Sequence, residues 1–565
     1  MRKSLTGVGA HDAQAPHFEI RATVEQVAIA ASLFWTVAAN RPFFATVLQD
    51  RAADDFATFG LAAALAVMLL AGHVVLLLTV LNRWTVKPLL ALITVATAFA
   101  TYGMQTFGAY VDPPMLRNVL HTDLPEAREL ADWSLLPHLL LYAGLPLLLL
   151  QRVRIETRPL LRTVIVRAVA IAVAAWAFAT AAVAIFQPVA SLMRNHKEVR
   201  YLITPANWMW SLGAVLVRDA RGRAGPRRPI GEDAAPGLSW SSEARARLLV
   251  VVVGETARSA NWGLDGYARQ TTPELAGLDV VNFGDVRACG TSTEVALPCM
   301  FAPVGRRDYD EDRIRGAESL LHLLARARVD VHWRDNQSGC KGVCDGLPYE
   351  SVPPSNPTGL CRDGHCLDEA LLLDLDQRLA GATGHEVLVL HMLGNHGPSY
   401  YRRYPPSFAR FQPACERDDL RACSQQEIVN AYDNAILYTD HVLATLIRRL
   451  QAHADRVNSA MVFVSDHGES LGERNLYLHG IPYPIAPAEQ THVPMVIWTS
   501  PGFARAAALD LDCLRQRAEQ PASHDNLFHT VLGLLDVRTA VYERPLDLTA
   551  GCRPPAGVGH LASAR

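Results

Sequence analysis

The N-terminal half of this chain lacks cysteine, and it contains long stretches with almost no charge. All 10 cysteines lie at or beyond Cys289. The formal net charge is only -3, so no excess of basic residues points to nucleic acid. There is no internal repeat and no low-complexity tract. The first residues are polar and lack an apolar core, so we expect no cleavable signal peptide.

Apolar runs dominate the chain up to about residue 190. Crossing a bilayer takes about 20 predominantly apolar residues, and four runs meet that need with very few charges: 56–81, 88–109, 133–150 and 164–185. A fifth run, 27–48, is interrupted by Asn40, Arg41 and Pro42. We therefore predict five transmembrane helices; buried helices of a soluble bundle are the alternative.

The basic residues predict the orientation of these helices. Short loops rich in Lys and Arg stay on the cytoplasmic side, whereas the loops around 50–55 and 110–132 are acidic or mixed. An N-terminus inside and five spans place everything after residue 190 outside the cytoplasm. The basic residues lie before the first span, between spans two and three, and between spans four and five: Arg2, Lys3, Arg21; Arg83, Lys87; Arg152, Arg154, Arg158 and Arg162.

The cysteines support an exoplasmic location for the C-terminal part. An even, clustered set of cysteines outside the cytoplasm predicts disulfides. Zinc clusters are the alternative, but the spacings lack the C-x₂-C pattern of zinc ribbons and fingers. Cys513 and Cys552 remain unassigned and could bridge. The close pairs are Cys289 and Cys299, Cys340 and Cys344, Cys361 and Cys366, and Cys415 and Cys423.

Beyond the apolar half, strand patterns alternate with helical ones. Residues 207–210 contain two tryptophans, which favour a membrane interface, and 221–237 is a linker rich in Gly, Pro and Arg. A long amphipathic helix is predicted over 427–450. This alternation favours a parallel α/β sheet covered on both faces. The predicted strands are 248–253, 280–287, 329–335, 386–392, 460–464 and 493–499.

Two of the predicted strands end in residues that bind metals. One is followed by Ser465, Asp466 and His467, and the other by Gly254 and Glu255. Ligands collect at the carboxyl ends of strands in α/β sheets, and carboxylate with imidazole suits Zn²⁺. One Asp-His pair could be an ordinary turn, but two strands that deliver ligands to one edge favour a site. Three protein ligands with one open position are typical of catalytic zinc.

A hydroxyl at the open position would serve as a nucleophile, because zinc lowers the pKa of a bound oxygen. Thr293 is our candidate, since it lies where a loop enters a predicted helix, whose N-terminus would favour a phosphoryl group. A helix N-cap is the alternative role for Thr293. Ser292 and Thr291 remain alternative nucleophiles.

Two histidines and a lysine are further candidates. His396 and His479 each precede a glycine downstream of a predicted strand. They are either ordinary loop residues, or donors to a phosphate or ligands of a second metal. Lys341, between two cysteines, is either a surface lysine or a positive charge for a phosphate.

Six motifs together resemble the lipid A phosphoethanolamine transferases, inner-membrane enzymes of Gram-negative bacteria. The resemblance covers nearly the whole chain. It implies an N-terminal five-helix transmembrane bundle plus a C-terminal α/β/α domain, alkaline phosphatase/sulfatase-like. The motifs are GETAR (254–258), CGTST (289–293), PCMF (298–301), NHGP (395–398), the YDN and ILYTD stretch (432–440) and SDHGESLGE (465–473).

The resemblance also implies roles for individual residues. Glu294 departs from the family, in which a small residue is expected beside the nucleophile. Asn118, Thr122 and Glu126 recur every four residues, which would place them on one helix face; in relatives such a face helps to bind phosphatidylethanolamine. The matched residues are Glu255, Asp466 and His467 as zinc ligands, Thr293 as zinc-bound nucleophile, His396 and His479 at substrate or a second zinc, and Lys341 near the phosphate.

The resemblance implies a two-step transfer of phosphoethanolamine from phosphatidylethanolamine to a phosphate of lipid A, with lowered affinity for polymyxins. We expect one tightly bound Zn²⁺, with a second as an open alternative, and a monomer in the inner membrane. The expected domains are transmembrane 1–190 with a periplasmic helix around 112–132, interfacial helices and linker 191–245, and periplasmic catalytic 246–565. A phosphoglycerol or phosphoethanolamine transferase for another glycan or core-sugar acceptor is the alternative, as is a non-enzymatic sensor that kept the fold.

Overall fold

The computed structural model of the protein describes residues 19–49, 51–52, 54–122, 124–222, 225–242, 245–352, 359–362 and 365–553. Arg2 and Lys3, used in the topology prediction, lie outside them. The chain divides into two compact units. The first comprises Met1–Met104 and Trp133–Trp208, and the second comprises Gln105–Asp132 and Met209–Arg565. Residues 105–132 therefore group with the C-terminal unit.

The apolar half of the chain folds into long helices. Among the described residues, 4 helices are long and apolar enough to cross a membrane: Phe56–Val80, Val86–Phe107, Leu135–Arg152 and Leu160–Ala184. Two further helices, Val24–Ala39 and Arg41–Leu48, meet at a bend of 50°. If this pair counts as one span, the number of spans rises to 5. The four uninterrupted runs are thus confirmed as helices of spanning length.

The bend lies at the interruption seen in the sequence. Pro42 has no backbone N–H and cannot continue the hydrogen-bond ladder. The buried side chain of Asn40 donates to the carbonyl oxygens of Trp35 at 2.9 Å and Thr204 at 2.8 Å. These bonds give the buried side-chain amide of Asn40 its partners and tie the bend to the Thr204 carbonyl.

Among the described residues, an eight-stranded sheet forms the centre of the second unit. The strands are β1 (Ala246–Gly254), β2 (Val281–Arg287), β3 (Asp330–Asp335), β4 (Tyr349–Ser351), β5 (His385–His391), β6 (Val457–Ser465), β7 (His492–Thr499) and β8 (Ala522–Ser523). Their order in the sheet is β8-β2-β7-β6-β1-β5-β3-β4. All six predicted strands are present, and the sequence patterns missed the two shortest, β4 and β8.

One strand departs from the predicted parallel sheet. Strand β7 runs antiparallel to both of its neighbours, β6 and β2, while the other strand pairs are parallel. Between β6 and β7 the chain makes only short elements. Without a long crossover helix, the next strand returns antiparallel.

Both faces of the sheet are buried. In β1, Leu249, Val251 and Val253 pack into one hydrophobic cluster, and the alternating residues Leu248, Val250 and Val252 pack into another. The helix Gln425–Ala452 contributes to the second cluster, and its N-terminus is fixed by a capping box of Ser424 and Glu427. The helices Leu320–Arg326 and Asp525–Leu534 contribute to the first cluster. The unit is therefore an α/β/α sandwich.

The predicted helix around 112–132 is two helices, Pro113–His121 and Leu124–Leu130. Thr122 is extended, with φ -62° and ψ 129°. Pro125 disfavours a continuous helix because it has no N–H to donate one turn back. Asn118, Thr122 and Glu126 consequently do not share one helix face, and the expectation that they do is wrong.

All ten cysteines are paired. The four predicted close pairs are formed, and the fifth disulfide joins the two cysteines whose partners the sequence left open. The pairs are Cys289–Cys299, Cys340–Cys344, Cys361–Cys366, Cys415–Cys423 and Cys513–Cys552.

Candidate active site

The register of two central strands brings the predicted metal ligands together. Strands β1 and β6 are neighbours, and Ser465 pairs with Gly254. The next residues, Glu255 and Asp466, therefore leave the same edge of the sheet side by side. The Asp466 N–H donates to the Gly254 carbonyl at 2.9 Å, which holds the two strand ends together.

Four side chains converge at this edge. His467 Nε2 lies 3.4 Å from Glu255 Oε1 and 3.4 Å from Asp466 Oδ2. The Thr293 hydroxyl donates to Glu255 Oε2 at 3.0 Å and lies 3.4 Å from His467 Nε2. Glu255, Asp466 and His467 are fully buried, and Thr293 is 4% exposed. The structure thus assembles the predicted ligand set and its hydroxyl.

The donor set fits a zinc ion. Among the residues that the structure describes, Glu255 Oε1 and Asp466 Oδ2 are buried without a hydrogen-bond partner, an arrangement that costs free energy unless something else satisfies the oxygens. Ligands around a tetrahedral ion with bonds of about 2.1 Å stand about 3.4 Å apart. The separations around His467 Nε2 match that spacing. Two carboxylates, an imidazole and a hydroxyl are ligands that zinc accepts.

The charges of Glu255, Asp466 and His467 shift one another's pKa values. Burial, together with the charge of Glu255, raises the pKa of Asp466 to about 6. Burial would lower the pKa of His467, but Asp466 and Glu255 outweigh it and raise that pKa to about 10. Burial likewise opposes ionisation of Glu255, yet contact with charged His467 holds its pKa well below the usual range. Near neutral pH, two carboxylates and one imidazolium leave one net negative charge, which attracts a cation.

The structure separates the three candidate nucleophiles. Ser292 is the N-cap of the helix Thr293–Met300, so Thr293 is the first helical residue and not the cap. The Thr291 hydroxyl donates to the Ile481 carbonyl at 2.7 Å. Of the three hydroxyls, the one bonded to Glu255 belongs to Thr293.

The two predicted histidines lie beside this cluster. The His479 ring centre is 4.4 Å from that of His467 and 5.3 Å from that of His396. His479 Nδ1 lies 2.8 Å from Glu469 Oε2, and Tyr400 donates to Glu469 Oε1 at 2.7 Å. His467, Glu469 and His479 form a second group that could hold a metal.

Glu469 is a site residue that the sequence reasoning missed. It is fully buried and orients His479. Glu469 lies within the motif at 465–473, two residues after His467. This position is the sequence signal that could have identified it.

The segment 113–130 reaches the site through one of its predicted residues. Glu126 Oε1 lies 3.4 Å from His396 Nε2. Burial lowers the pKa of His396 to about 3, so this imidazole is neutral at physiological pH. Thr122 donates to the Asn118 carbonyl at 2.9 Å, and both side chains are partly buried.

Lys341 and Glu294 lie close enough for the charge of Lys341 to act on the Glu294 carboxylate. Lys341 donates to the Ser338 carbonyl at 3.0 Å and to its hydroxyl at 2.6 Å. Glu294 is buried and contacts Arg315 Nη2 at 2.7 Å and His121 Nδ1 at 3.2 Å. Although burial opposes its ionisation, these partners and the charge of Lys341 lower the pKa of Glu294. The carboxylate beside the candidate nucleophile is therefore neutralised locally.

Two glycines let loops approach the ligands closely. Gly394 has φ +54°, and a Cβ there would lie 2.6 Å from the Glu255 carbonyl oxygen. At Gly468, a Cβ would lie 2.1 Å from the Glu489 carbonyl oxygen. Side chains at either position would push a loop away from the candidate metal ligands.

Comparison with known proteins places this site in a family. Two family models match the chain: Phosphoethanolamine transferase EptA/EptB over residues 69–220 and Sulfatase over residues 247–537. The phosphoethanolamine transferase EptA of Escherichia coli (strain K12) is 36% identical over 536 residues, which cover 93% of this chain and 96% of that protein. The phosphatidylethanolamine transferase Mcr-1 of Escherichia coli is 35% identical over 534 residues, which cover 92% of this chain and 96% of that protein.

A solved structure agrees over both halves. The integral membrane protein lipooligosaccharide phosphoethanolamine transferase A (EptA) from Neisseria meningitidis superposes with a TM-score of 0.90 at 36% sequence identity, covering 95% of this chain and 100% of that one. With these similarities over nearly its whole length, the chain belongs to the phosphoethanolamine transferase family and carries a sulfatase-like α/β/α domain.

Proposed function

We propose that the protein transfers phosphoethanolamine from phosphatidylethanolamine to a phosphate of lipid A, through a covalent phosphoethanolamine-threonine intermediate. The observation that carries the proposal is the Thr293 hydroxyl, 3.0 Å from Glu255 Oε2 inside a buried set of metal ligands. The names of relatives supply the lipids: Mcr-1 is a phosphatidylethanolamine transferase. A Kdo(2)-lipid A phosphoethanolamine 7''-transferase of Escherichia coli (strain K12) is 28% identical over 495 residues, 81% of this chain and 84% of that protein.

Glu255, Asp466 and His467, with the Thr293 hydroxyl, would hold one zinc ion tightly, and His467, Glu469 and His479 could hold a second. When bound, zinc supplies Lewis-acid activation of the hydroxyl and neutralises charge on the phosphoryl group. The remaining chemistry belongs to the side chains.

In the first step, Thr293 Oγ1 attacks the phosphorus of phosphatidylethanolamine. The bond from phosphorus to the diacylglycerol oxygen breaks, and diacylglycerol leaves with a proton. We assign delivery of that proton to His479, which Glu469 orients at 2.8 Å, because burial keeps His396 neutral. The proton that Thr293 loses restores His479, so the step neither consumes nor releases a proton overall.

In the second step, an oxygen of a lipid A phosphate attacks the phosphorus. The bond to Thr293 Oγ1 breaks, and Thr293 takes up the proton that the attacking phosphate hydroxyl gives up, which restores the threonine hydroxyl. Lys341 and the N-terminus of the helix Thr293–Met300 are our candidates to stabilise the phosphoryl charge. Asn118, Thr122 and Glu126 are our candidates to bind the donor, with the Glu126 carboxylate directed to its ammonium group.

We further propose that the chain spans the Gram-negative inner membrane five times as a monomer, with the catalytic domain in the periplasm. The four long apolar helices and the bent pair support the spans. The five disulfides of the second unit support an oxidising compartment. A membrane anchor suits an enzyme whose donor and acceptor are both lipids.

The test is reconstitution of the full-length protein in vesicles that contain phosphatidylethanolamine, with lipid A or a Kdo-extended lipid A as acceptor, followed by mass spectrometry of the lipids. We expect phosphoethanolamine on lipid A with the wild type and none with Thr293→Ala. Modification of the Kdo sugar alone would favour the core-sugar alternative. No transfer by a folded, zinc-loaded wild type would overturn the proposal. Cells that express the wild type should also tolerate more polymyxin than cells that express the variant.

A further inference from the structure

A buried guanidinium connects the two sides of the candidate donor site. Arg403 Nη2 forms an ion pair with Glu129 Oε2, and Arg403 Nε donates to the His396 carbonyl at 2.7 Å. The side chains of both charged residues are 2% exposed. One side chain thus bonds to the loop that carries His396 and to the helix Leu124–Leu130.

Glu129 lies three residues after Glu126 on that helix, a spacing that places both carboxylates on one face. They have different surroundings. Glu129 is paired with Arg403 in a nearly solvent-free position, whereas Glu126 is 16% exposed and lies 3.4 Å from His396 Nε2. Arg403 therefore bonds to both sides of the Glu126–His396 contact. It holds His396 through the His396 backbone carbonyl, and it holds Glu126 through Glu129 on the same helix.

We propose that Arg403 and Glu129 are positioning residues that set Glu126 against His396, and so determine recognition of the ammonium group of the donor. This inference rests on the proposed function, in which Glu126 binds that ammonium. The guanidinium suits the task because its donors lie in a rigid planar fork and can bond two acceptors in fixed directions. A lysine ammonium keeps the charge but not the fork.

The ammonium is remote from the bond that breaks, so contact with it contributes equally to the ground state and the transition state. Loss of such a contact raises KM and leaves kcat nearly unchanged. One charge-assisted hydrogen bond accounts for roughly tenfold or more in binding. A donor whose amine is acetylated carries no cation and does not gain from a correctly placed Glu126.

The experiment measures kcat and KM of the full-length protein for phosphatidylethanolamine and for its N-acetyl derivative. Arg403→Lys keeps the charge, and the double variant Glu129→Gln/Arg403→Met removes both buried charges together, which avoids leaving one of them unpaired. The matched control is Arg402→Met, because the adjacent Arg402 is 38% exposed and pairs with Asp418 on the surface. Melting temperature and zinc content verify that each variant is folded and loaded.

We expect the preference for the ammonium donor to fall about tenfold or more in the double variant, through KM. Arg403→Lys should lose part of the preference, and Arg402→Met none. If both donors lose activity equally, the pair is only structural and the inference is wrong. If the wild type does not use phosphatidylethanolamine at all, the proposed function fails instead.

Discussion

Replacing Asp466 by Asn tests the metal site through stability rather than activity. Asparagine has nearly the same shape but no charge, and Asp466 is one of three fully buried candidate ligands whose ligand atoms lie within 4.8 Å of one another. An ion that binds only the folded state stabilises it by about 4.1 kcal/mol when its free concentration is 1,000 times Kd. The wild type should therefore show a large difference in unfolding between zinc-loaded and zinc-free protein.

The lost ligand determines the size of the effect. If the carboxylate contributes about a hundredfold in affinity, as strong metal contacts do, the stabilisation falls by about 2.7 kcal/mol. For a unit of this size, about 1 kcal/mol moves Tm by roughly 2 °C. We expect the zinc-induced rise in Tm to be about 5 °C smaller in Asp466→Asn than in the wild type.

The assay is thermal unfolding of the full-length protein in detergent, with zinc and after chelation. Asp440→Asn is the matched control, because Asp440 is also fully buried but accepts from the Glu274 and Leu275 N–H groups at a helix N-terminus. This control should keep the wild-type zinc effect, whatever its own stability. An unchanged zinc effect in Asp466→Asn, or its loss in Asp440→Asn, would refute the assignment of the ligands.

Three other parts of the molecule carry predictions of their own. The Cys513–Cys552 disulfide closes a separation of 39 residues, so replacing both cysteines by Ser should destabilise the protein by about 4 kcal/mol in denaturant titrations. The pKa of Glu294 is lowered in the folded protein, so the ionised carboxylate stabilises the fold at pH values above the ordinary pKa of 4.5. This stabilisation is lost as the pH falls through the lower pKa of the folded state, so Tm should fall on the acid side of its pH profile (the acid limb). Glu294→Gln should flatten this acid limb. Gly394→Ala should reduce zinc affinity, because the new Cβ displaces the backbone of Glu255.

Each of these predictions has a contradicting result. Removal of Cys340–Cys344, which are separated by only 4 residues, should cost about 2 kcal/mol, and an equal cost for both disulfides would contradict the loop argument. An acid limb that persists in Glu294→Gln would show that other carboxylates cause it. The new Cβ of Gly381→Ala has no described atom within 4 Å, so this variant should leave zinc binding unchanged while Gly394→Ala weakens it.

Much of the fold could be predicted because its signals are local. Apolar runs of spanning length with very few charges indicated four helices, and β-branched runs indicated six strands of the sheet. The strand direction of β7 could not be predicted, because it depends on the route of the connection after β6. The shortest strands, β4 and β8, carry too few residues for a periodic pattern.

The candidate site also contains residues that local sequence signals predict and residues that they do not. Glu255, Asp466 and His467 were predictable because each closely follows a buried strand, and strand ends meet at one edge. Asn118, Thr122 and Glu126 were placed on one helix face by spacing alone, and the break after His121 invalidates that geometry. Glu129 and Arg403 carried no pattern, since their pairing joins positions 274 residues apart.

The covalent intermediate on Thr293 is the central claim, and intact-protein mass spectrometry tests it most directly. The full-length protein is incubated with phosphatidylethanolamine without acceptor, and then digested to locate any added group. We predict the mass of one phosphoethanolamine on the peptide that contains Thr293, its loss when lipid A is added, and no addition to Thr293→Ala. An addition that persists in Thr293→Ala, or lipid A that is modified without any labelled protein under these conditions, would contradict the account.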